Sequence, residues 1–266
     1  MTTTYKVLFL DIDGTILRPD DTIENSTKEA IAQAKEKGLD VFLATGRPLH
    51  EIKEIGDELE VQSLIGYNGA YAIHDGKDVF KEPITAETVQ FFLDVVAENN
   101  GHEVIMYTSS KNVFSTYDSV KMQEFIDKFH LKHNVLYSPD YINHILGMTL
   151  IKLSEEDLKK YESHGGLHLS NVNVDGLREH SYDVIRDNVN KGFAVQKVLD
   201  LLGYKKEEAI AFGDAMNDKE MLKLVGQGFA MGNAHPDLFA YANRKTTSVE
   251  NSGIYNGLKS LGIIGN

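Results

Sequence analysis

The sequence predicts an α/β protein in which a parallel sheet is assembled from two separated chain segments and a second α/β segment is inserted between them. Three observations predict it. Short, continuous apolar runs (Val7–Leu10, Leu39–Ala44 and Ala209–Phe212) read as strands buried on both faces, as in the middle of a parallel sheet. Helix signals with their own start and stop residues separate such runs. From Pro83 to about Arg186 the texture changes: helices and strands still alternate, but no strand there ends in an acidic or glycine-rich loop.

The first run carries the most chemistry. Lys6–Leu17 reads KVLFLDIDGTIL, so Asp11 and Asp13 stand at the carboxyl end of a buried strand, where ligands of open α/β sheets collect. Two like charges ~4 Å apart repel by about 4 kcal/mol at an effective dielectric near 20, so a cation is required there. An all-oxygen donor set points to magnesium. The same text also fits an ordinary strand end followed by an Asp-Gly turn.

Ser26 with Glu29 three residues later forms a capping-box pattern, Ala30, Ile31 and Ala34 continue at helical spacing, and Gly38 ends the helix. The strand Leu39–Ala44 runs into Thr45, Gly46, Arg47 and Pro48. A hydroxyl donor, a glycine that admits backbone N–H groups and an arginine suit phosphate, and Pro48 is placed to open a helix over about Leu49–Leu59 whose N-terminus favours an anion. A third apolar segment, Leu64–Tyr67, leads into Asn68-Gly69, and Asp75-Gly76 follows; both dipeptides signal hairpin turns.

Within the insert, helices are expected near Ala86–Asn99, Ser119–His130 and Glu155–Glu162, and strands near Val104–Thr108, Met148–Leu153 and Leu167–Val174. The pairs His130/His133 and His164/His168 read as solvated loop histidines; the latter flanks Gly165-Gly166, so it lies on a turn and not on a helix face with a glutamate between, as a zinc site would need. Asn190-Lys191-Gly192 then opens a helix with Val195, Val198, Leu199 and Leu202 on its apolar face and Gly203 at its end, so Lys191 adds its charge to a helix N-terminus. The run Ala209–Phe212 ends in a second acidic cluster, Gly213-Asp214-Ala215-Met216-Asn217-Asp218. Phe229–Met231 reads as a short strand without nucleotide-fingerprint spacing, and helical turns are expected near Pro236–Ala242 and Tyr255–Leu261.

Composition bounds the partners. The chain has 27 Lys plus Arg against 40 Asp plus Glu, a formal charge of −13, which argues against nucleic acid and anionic membranes. It has no cysteine, which excludes disulfides, thiolate metal sites and a cysteine nucleophile. With no signal-like or membrane-length apolar run, it reads as cytoplasmic.

Four motifs in order, DIDGT at 11–15, ATGR at 44–47, NKG at 190–192 and GDAMND at 213–218, resemble those of the haloacid dehalogenase-like (HAD) superfamily of phosphohydrolases. An insert between the second and third motifs is similar to the type IIB cap of the Cof-like subfamily, whose text YNGA (67–70) and AMGNA (230–234) also resemble. The resemblance covers the whole chain. It implies a Rossmann-like core at 1–83 and 187–266 with an α/β cap at 84–186 that selects substrate. It implies that Asp11 is the nucleophile and Asp13 the general acid/base, that Asp11, the main-chain carbonyl of Asp13 and Asp214 bind Mg2+, and that Asp218 binds or orients it. Thr45, Lys191 and the N–H groups of Ile12 and Gly46 would hold phosphoryl oxygens with Asn217 nearby, while Arg47 and Asn68 would reach the substrate.

The reading is a magnesium-dependent phosphohydrolase for a small phosphorylated metabolite such as a sugar phosphate, working through an aspartyl-phosphate, as a monomer or small homo-oligomer. A phosphomutase shares that intermediate and differs in water access. A receiver-like phosphoacceptor combines similar residues, but needs about half this length and lacks the second aspartate. Dehalogenation has no use for Asp13.

Overall fold

The structure, a computed structural model, describes residues 4–99, 101–172 and 176–265. The chain divides into two compact units, one of Met1–Arg47, Lys53–Phe80 and Asn190–Asn266, the other of Pro48–Ile52 and Lys81–Val189. The second unit therefore takes in a pentapeptide that lies well before the insert drawn from sequence.

In the first unit β1 (Val7–Leu10) is wholly buried and leads to α1 (Asn25–Glu36) and β2 (Asp40–Ala44). The capping box expected at Ser26 does not form. Glu24 is the N-cap residue and Ser26 lies inside the first turn, its hydroxyl donating to Glu24 Oε2 at 3.1 Å. The Glu24 carboxylate also accepts from Arg18 Nη2 (2.6 Å) and from the Ser252 N–H (3.0 Å), so a tertiary network fixes where α1 starts. Gly38, at φ +84°, turns the chain out of α1 as expected. After α2 (Lys53–Glu58) come β3 (Ser63–Gly66), β4 (Tyr71–His74) and β5 (Lys77–Lys81). Asp75 and Gly76 form the tight turn between β4 and β5, both at positive φ, whereas Tyr67–Gly69 is a wider 3-10 turn.

The second unit contains α3 (Ala86–Glu98), β6 (Glu103–Tyr107), β7 (Asn112–Phe114), α4 (Val120–Lys128), β8 (Asn134–Leu136), β9 (Gly147–Ile151), α5 (Leu158–Glu162), β10 (Leu167–Asn171) and β11 (Ser181–Arg186). Its six strands order as β10-β11-β9-β6-β7-β8. Side chains alternate across this sheet. Val104, Met106, Leu150 and Tyr182 meet Phe92 of α3 and Tyr161 of α5, while Ile105, Phe114 and Ile151 meet Met122 and Phe125 of α4. Three strands, β7, β8 and β11, are absent from the sequence reading, and the far end of the expected strand Leu167–Val174 lies outside the described residues. His164 is not the solvated histidine expected: it stacks on Phe91 with centroids 4.8 Å apart and shares a hydrogen bond with Thr88 Oγ1.

The expected helix Leu49–Leu59 is also broken. A three-residue 3-10 turn, Leu49–Glu51, belongs to the second unit, Ile52 ends it, and α2 starts afresh in the first. Pro48 thus opens a turn too short to present a helix N-terminus to an anion.

The chain returns to the first unit with α6 (Lys191–Leu202), β12 (Ala209–Gly213), α7 (Lys219–Leu224), β13 (Gln227–Ala230), β14 (Arg244–Lys245) and α8 (Gly253–Ser260). Asn190 caps α6 by accepting the Phe193 N–H at 2.9 Å, and Gly203 ends it at φ +68°. The eight strands order as β14-β13-β12-β1-β2-β3-β4-β5, parallel from β14 to β3 and antiparallel from β3 to β4. α6 and α7 cover one face through Val195, Val198, Leu199, Met221 and Leu222, against Phe9, Phe42 and Ala211. On the other face Gly257 of α8 lies against the Phe212 ring, and α8 packs on α1. Among the described residues, no helix is long and apolar enough to cross a membrane.

α6 and α7 approach so closely that a Cβ on Gly192 would stand 2.7 Å from Glu220 Cβ. Gly192→Ala is therefore expected to push the helices apart and destabilise the protein by about 1–3 kcal/mol. Thermal denaturation checks this; an unchanged melting temperature would mean that α7 yields freely.

Candidate active site

The register of the parallel strands brings the site together. Leu10 pairs with Leu43 on one side and Phe212 on the other, so β1, β2 and β12 end level and release Asp11, Thr45 and Asp214 along one edge of the sheet. The chain enters this edge at β1 and leaves for β2, later adding β12 on the opposite side, which makes it the topological switch point.

Lys191, the first residue of α6, is fully buried. Its Nζ donates to Asp11 Oδ1 at 2.6 Å and to Asp218 Oδ1 at 2.7 Å. Asp218, also fully buried, accepts the N–H groups of Asp214 (3.0 Å) and Ala215 (3.1 Å) on its other oxygen. Asp218 thus ties α6 to the loop after β12, and Gly213 has no room for a Cβ, which would lie 2.6 Å from Asp218 Cβ.

Asp11, Asp214 and Asp218 each offer an oxygen within 4.8 Å of the others. Three carboxylates face one ammonium, a formal excess of two negative charges. Burial would lower the Lys191 pKa, but Asp11 and Asp218 together hold it above the ordinary lysine value. Burial and then the Asp218 charge push Asp11 up to about 7, and burial and then Asp11 push Asp214 up to about 9. Asp214 Oδ1 is buried with no hydrogen-bond partner. An oxygen-only cluster with a formal excess of two negative charges and an orphaned buried oxygen fits a divalent cation. Asp11 and Asp214 could hold it. Asp218 belongs to the same cluster, but both of its oxygens already have donors.

Asp13 points elsewhere. Its side chain is half exposed and both of its oxygens are taken by Arg47, Nε to Oδ2 at 2.9 Å and Nη2 to Oδ1. Burial works against the Arg47 charge, and the Asp13 carboxylate outweighs it, leaving the guanidinium pKa raised.

Thr45 is buried, and its Oγ1 accepts the Arg47 N–H at 3.1 Å, which leaves the hydroxyl hydrogen to donate. Asn68, in the left-handed region at φ 52°, donates its N–H to Thr45 O (3.1 Å) and accepts from Asn217 Nδ2 (3.0 Å). Gly46 lies against the Asn68 amide, 3.1 Å from where its Cβ would be. The N–H groups of Ile12 and Gly46 have no backbone acceptor among the described residues. Every residue singled out from sequence for catalysis, phosphate, substrate or metal lies in the first unit.

Asn233 was given no role from sequence. Its Nδ2 donates to Gly14 O at 2.8 Å and reaches Asp214 Oδ2 at 3.4 Å, and its Oδ1 accepts the Val249 N–H at 2.9 Å. It fixes the Asp214 carboxylate against the loop after β1. The only signal was the AMGNA text itself.

Residues 8–258 match the family described as haloacid dehalogenase-like hydrolase. A putative phosphatase YkrA of Bacillus subtilis is 29% identical over 97% of this chain and 98% of its own. The 5-amino-6-(5-phospho-D-ribitylamino)uracil phosphatase YitU of the same organism is also 29% identical, with the same coverage of both chains. Among solved structures, the HAD subclass IIB sugar phosphatase BT4131 superposes with a TM-score of 0.82 at 28% identity, over 97% of this chain and all of that one.

The carboxyl groups of the cluster set the sign of a pH effect. Asp11, raised to about 7, is only partly ionised at neutral pH, and Asp214, raised to about 9, keeps its proton there; a divalent cation must displace these protons. Cation binding is expected to release protons and to tighten as pH rises toward about 9. Calorimetric titration in buffers of different ionisation enthalpy measures the release; binding with no proton release and no pH dependence would contradict the arrangement.

Proposed function

The chain belongs to the haloacid dehalogenase-like hydrolase family and is one of its phosphatases, and from that premise we propose that it hydrolyses small phosphomonoesters with magnesium, through an aspartyl-phosphate on Asp11. The observation that carries this reading is the buried cluster in which Lys191 bridges Asp11 and Asp218 while Asp214 Oδ1 stays unpaired. The names of two relatives, a sugar phosphatase and a phosphoribitylaminouracil phosphatase, favour a phosphorylated sugar or polyol as substrate. A family match along nearly the whole chain leaves the receiver-like alternative without support.

Asp11 is the nucleophile. One of its oxygens forms a bond to phosphorus as the ester P–O bond breaks, and the departing alkoxide takes a proton from Asp13. Asp13 then takes a proton from water as that water attacks phosphorus, and cleavage of the bond to Asp11 releases phosphate. Asp13 serves both steps only after one of its oxygens leaves Arg47. Thr45, Lys191 and the N–H groups of Ile12 and Gly46 hold the phosphoryl oxygens, Asn217 and Asn68 shape the same wall, and Arg47, released from Asp13, turns to substrate. Asp11, Asp214 and the main-chain carbonyl of Asp13 would hold magnesium, which would supply positive charge to offset the formal excess of two negative charges. Asp218 orients Lys191 and the 214–215 backbone. The 84–186 cap selects the part of the substrate beyond phosphate.

Leaving-group chemistry separates the two aspartates. Asp11→Asn is expected to abolish turnover of every ester, because an amide is a poor nucleophile and a weak metal ligand. Asp13→Asn is expected to lower hydrolysis of a sugar phosphate by about 100-fold or more, and the formation of the acyl-phosphate from p-nitrophenyl phosphate far less, because nitrophenolate departs without a proton. Single-turnover rates with both esters, after a screen of phosphorylated metabolites in magnesium, make the comparison. An Asp11→Asn protein within about tenfold of the parent would sink the assignment.

A further inference from the structure

Asn112, the first residue of β7, is fully buried, and its amide is committed on every side. Nδ2 donates to Lys132 O (2.6 Å), which fastens β7 to the turn before β8, and stands 3.1 Å from Asn134 Oδ1 of β8, which shares one of its two hydrogens. The same amide reaches outside the sheet: Oδ1 is hydrogen-bonded to His50 Nε2 at 2.9 Å, and Nδ2 donates to Glu51 Oε1 at 2.6 Å. Glu51 Oε1 also accepts the Lys132 N–H at 3.1 Å, and the His50 ring stands edge-on to His133. Joining two strands explains the first pair of bonds. It does not explain the pair to His50 and Glu51.

Those two residues stand three and four positions beyond Arg47. The chain leaves the first unit at Arg47, spends Pro48–Ile52 in the second, and re-enters the first at Lys53. The pentapeptide is stiff: proline restricts its first residue, Leu49–Glu51 forms a 3-10 turn, and Leu49 and Ile52 are buried. On the other side of one peptide bond, Arg47 holds both oxygens of Asp13.

We infer that Asn112 is a positioning residue: by fixing His50 and Glu51 within the second unit it sets the backbone at Arg47, and through the Arg47 guanidinium it governs when Asp13 is free to move a proton. The inference rests on the proposed role of Asp13. Its route is short. Arg47 Cα is bonded through a single peptide to a segment whose side chains Asn112 anchors, so a displacement of that segment reaches Arg47 before any other residue of the site. Burial makes the anchor strict, because removing the amide from this place takes one buried hydrogen bond each from Glu51, His50 and Lys132.

Asn112→Ala, with magnesium present, tests it in two ways. Hydrogen exchange at the Arg47 amide, which donates to Thr45 Oγ1, and at the Glu51 amide, which donates to Pro48 O, is expected to accelerate while exchange in β1 and β12 is unchanged. In single turnover, acyl-phosphate formation from the sugar phosphate turned over fastest in the metabolite screen is expected to slow by about tenfold or more, while its formation from p-nitrophenyl phosphate, whose leaving group needs no proton, stays within about threefold. Unchanged exchange at Arg47, or equal losses on the two esters, overturns the inference, since a merely structural role lowers both alike. Where Asn112→Ala does not fold, Glu51→Gln keeps the size of the side chain, removes the acceptor charge and is held to the same two outcomes. A parent enzyme inactive on every ester would defeat the proposed phosphatase chemistry instead, and the exchange experiment would still decide the anchoring of Arg47.

Discussion

The Lys191 ammonium is the interaction on which the site depends. An ion held away from water costs several kcal/mol, and only close partners offset it. Here they are Asp11 and Asp218, the first of them 180 positions away in the chain. Satisfying Lys191 therefore requires that the ends of β1 and β12 and the start of α6 meet within hydrogen-bond reach. Two glycines follow from that convergence: Gly192 lets α6 lie against Glu220, and Gly213 leaves space for the Asp218 carboxylate. Fold and site share one constraint, because breaking the pair leaves a buried charge uncompensated, a loss of about 3–5 kcal/mol.

The same cluster is deliberately incomplete. Lys191 neutralises one carboxylate of three, and the donors that remain are divided unequally. Asp218 spends its second oxygen on two backbone N–H groups, so it stabilises the loop that carries Asp214. Asp214, steadied on one oxygen by Asn233, keeps the other buried and unpaired. The result is a site with a cationic side built from protein and an anionic side suited to a cation. Asp13 escapes this imbalance because Arg47, drawn from the loop after β2, neutralises it outside the buried cluster.

What was legible in the sequence was what local chemistry decides. Continuous apolar runs located β1, β2 and β12, and their terminal Asp, Thr and Gly-Asp text located the edge where they converge. Partnerships across long separations were not legible. The capping box at Ser26 failed because Glu24 is held by Ser252, 228 positions away, and the helix after Pro48 broke where Asn112 engages Glu51, 61 positions on. Strands β7 and β8 are too short for any periodicity, and the Ser and Asp of β11 disguise it. The Arg47–Asp13 pair joins two motifs that were each read separately. Asn233 was invisible because an asparagine that orients a carboxylate looks like any other.

The position of Arg47 gains meaning from the way the chain is routed. A domain inserted in one place needs two crossings, yet this chain crosses between its units at 47/48 and 52/53 as well as at 80/81 and 189/190. The extra pair of crossings exists only to lend the second unit five residues, and the residue just before them is the one that grips Asp13. Had those five residues followed a surface loop, their attachment would have affected stability alone. Placed directly after Thr45-Gly46-Arg47, they join the loop after β2 covalently to the second unit through Pro48, whose ring restricts the backbone there. Under the proposed chemistry, that covalent link is the route by which Asn112 would reach Arg47 and, through its guanidinium, Asp13.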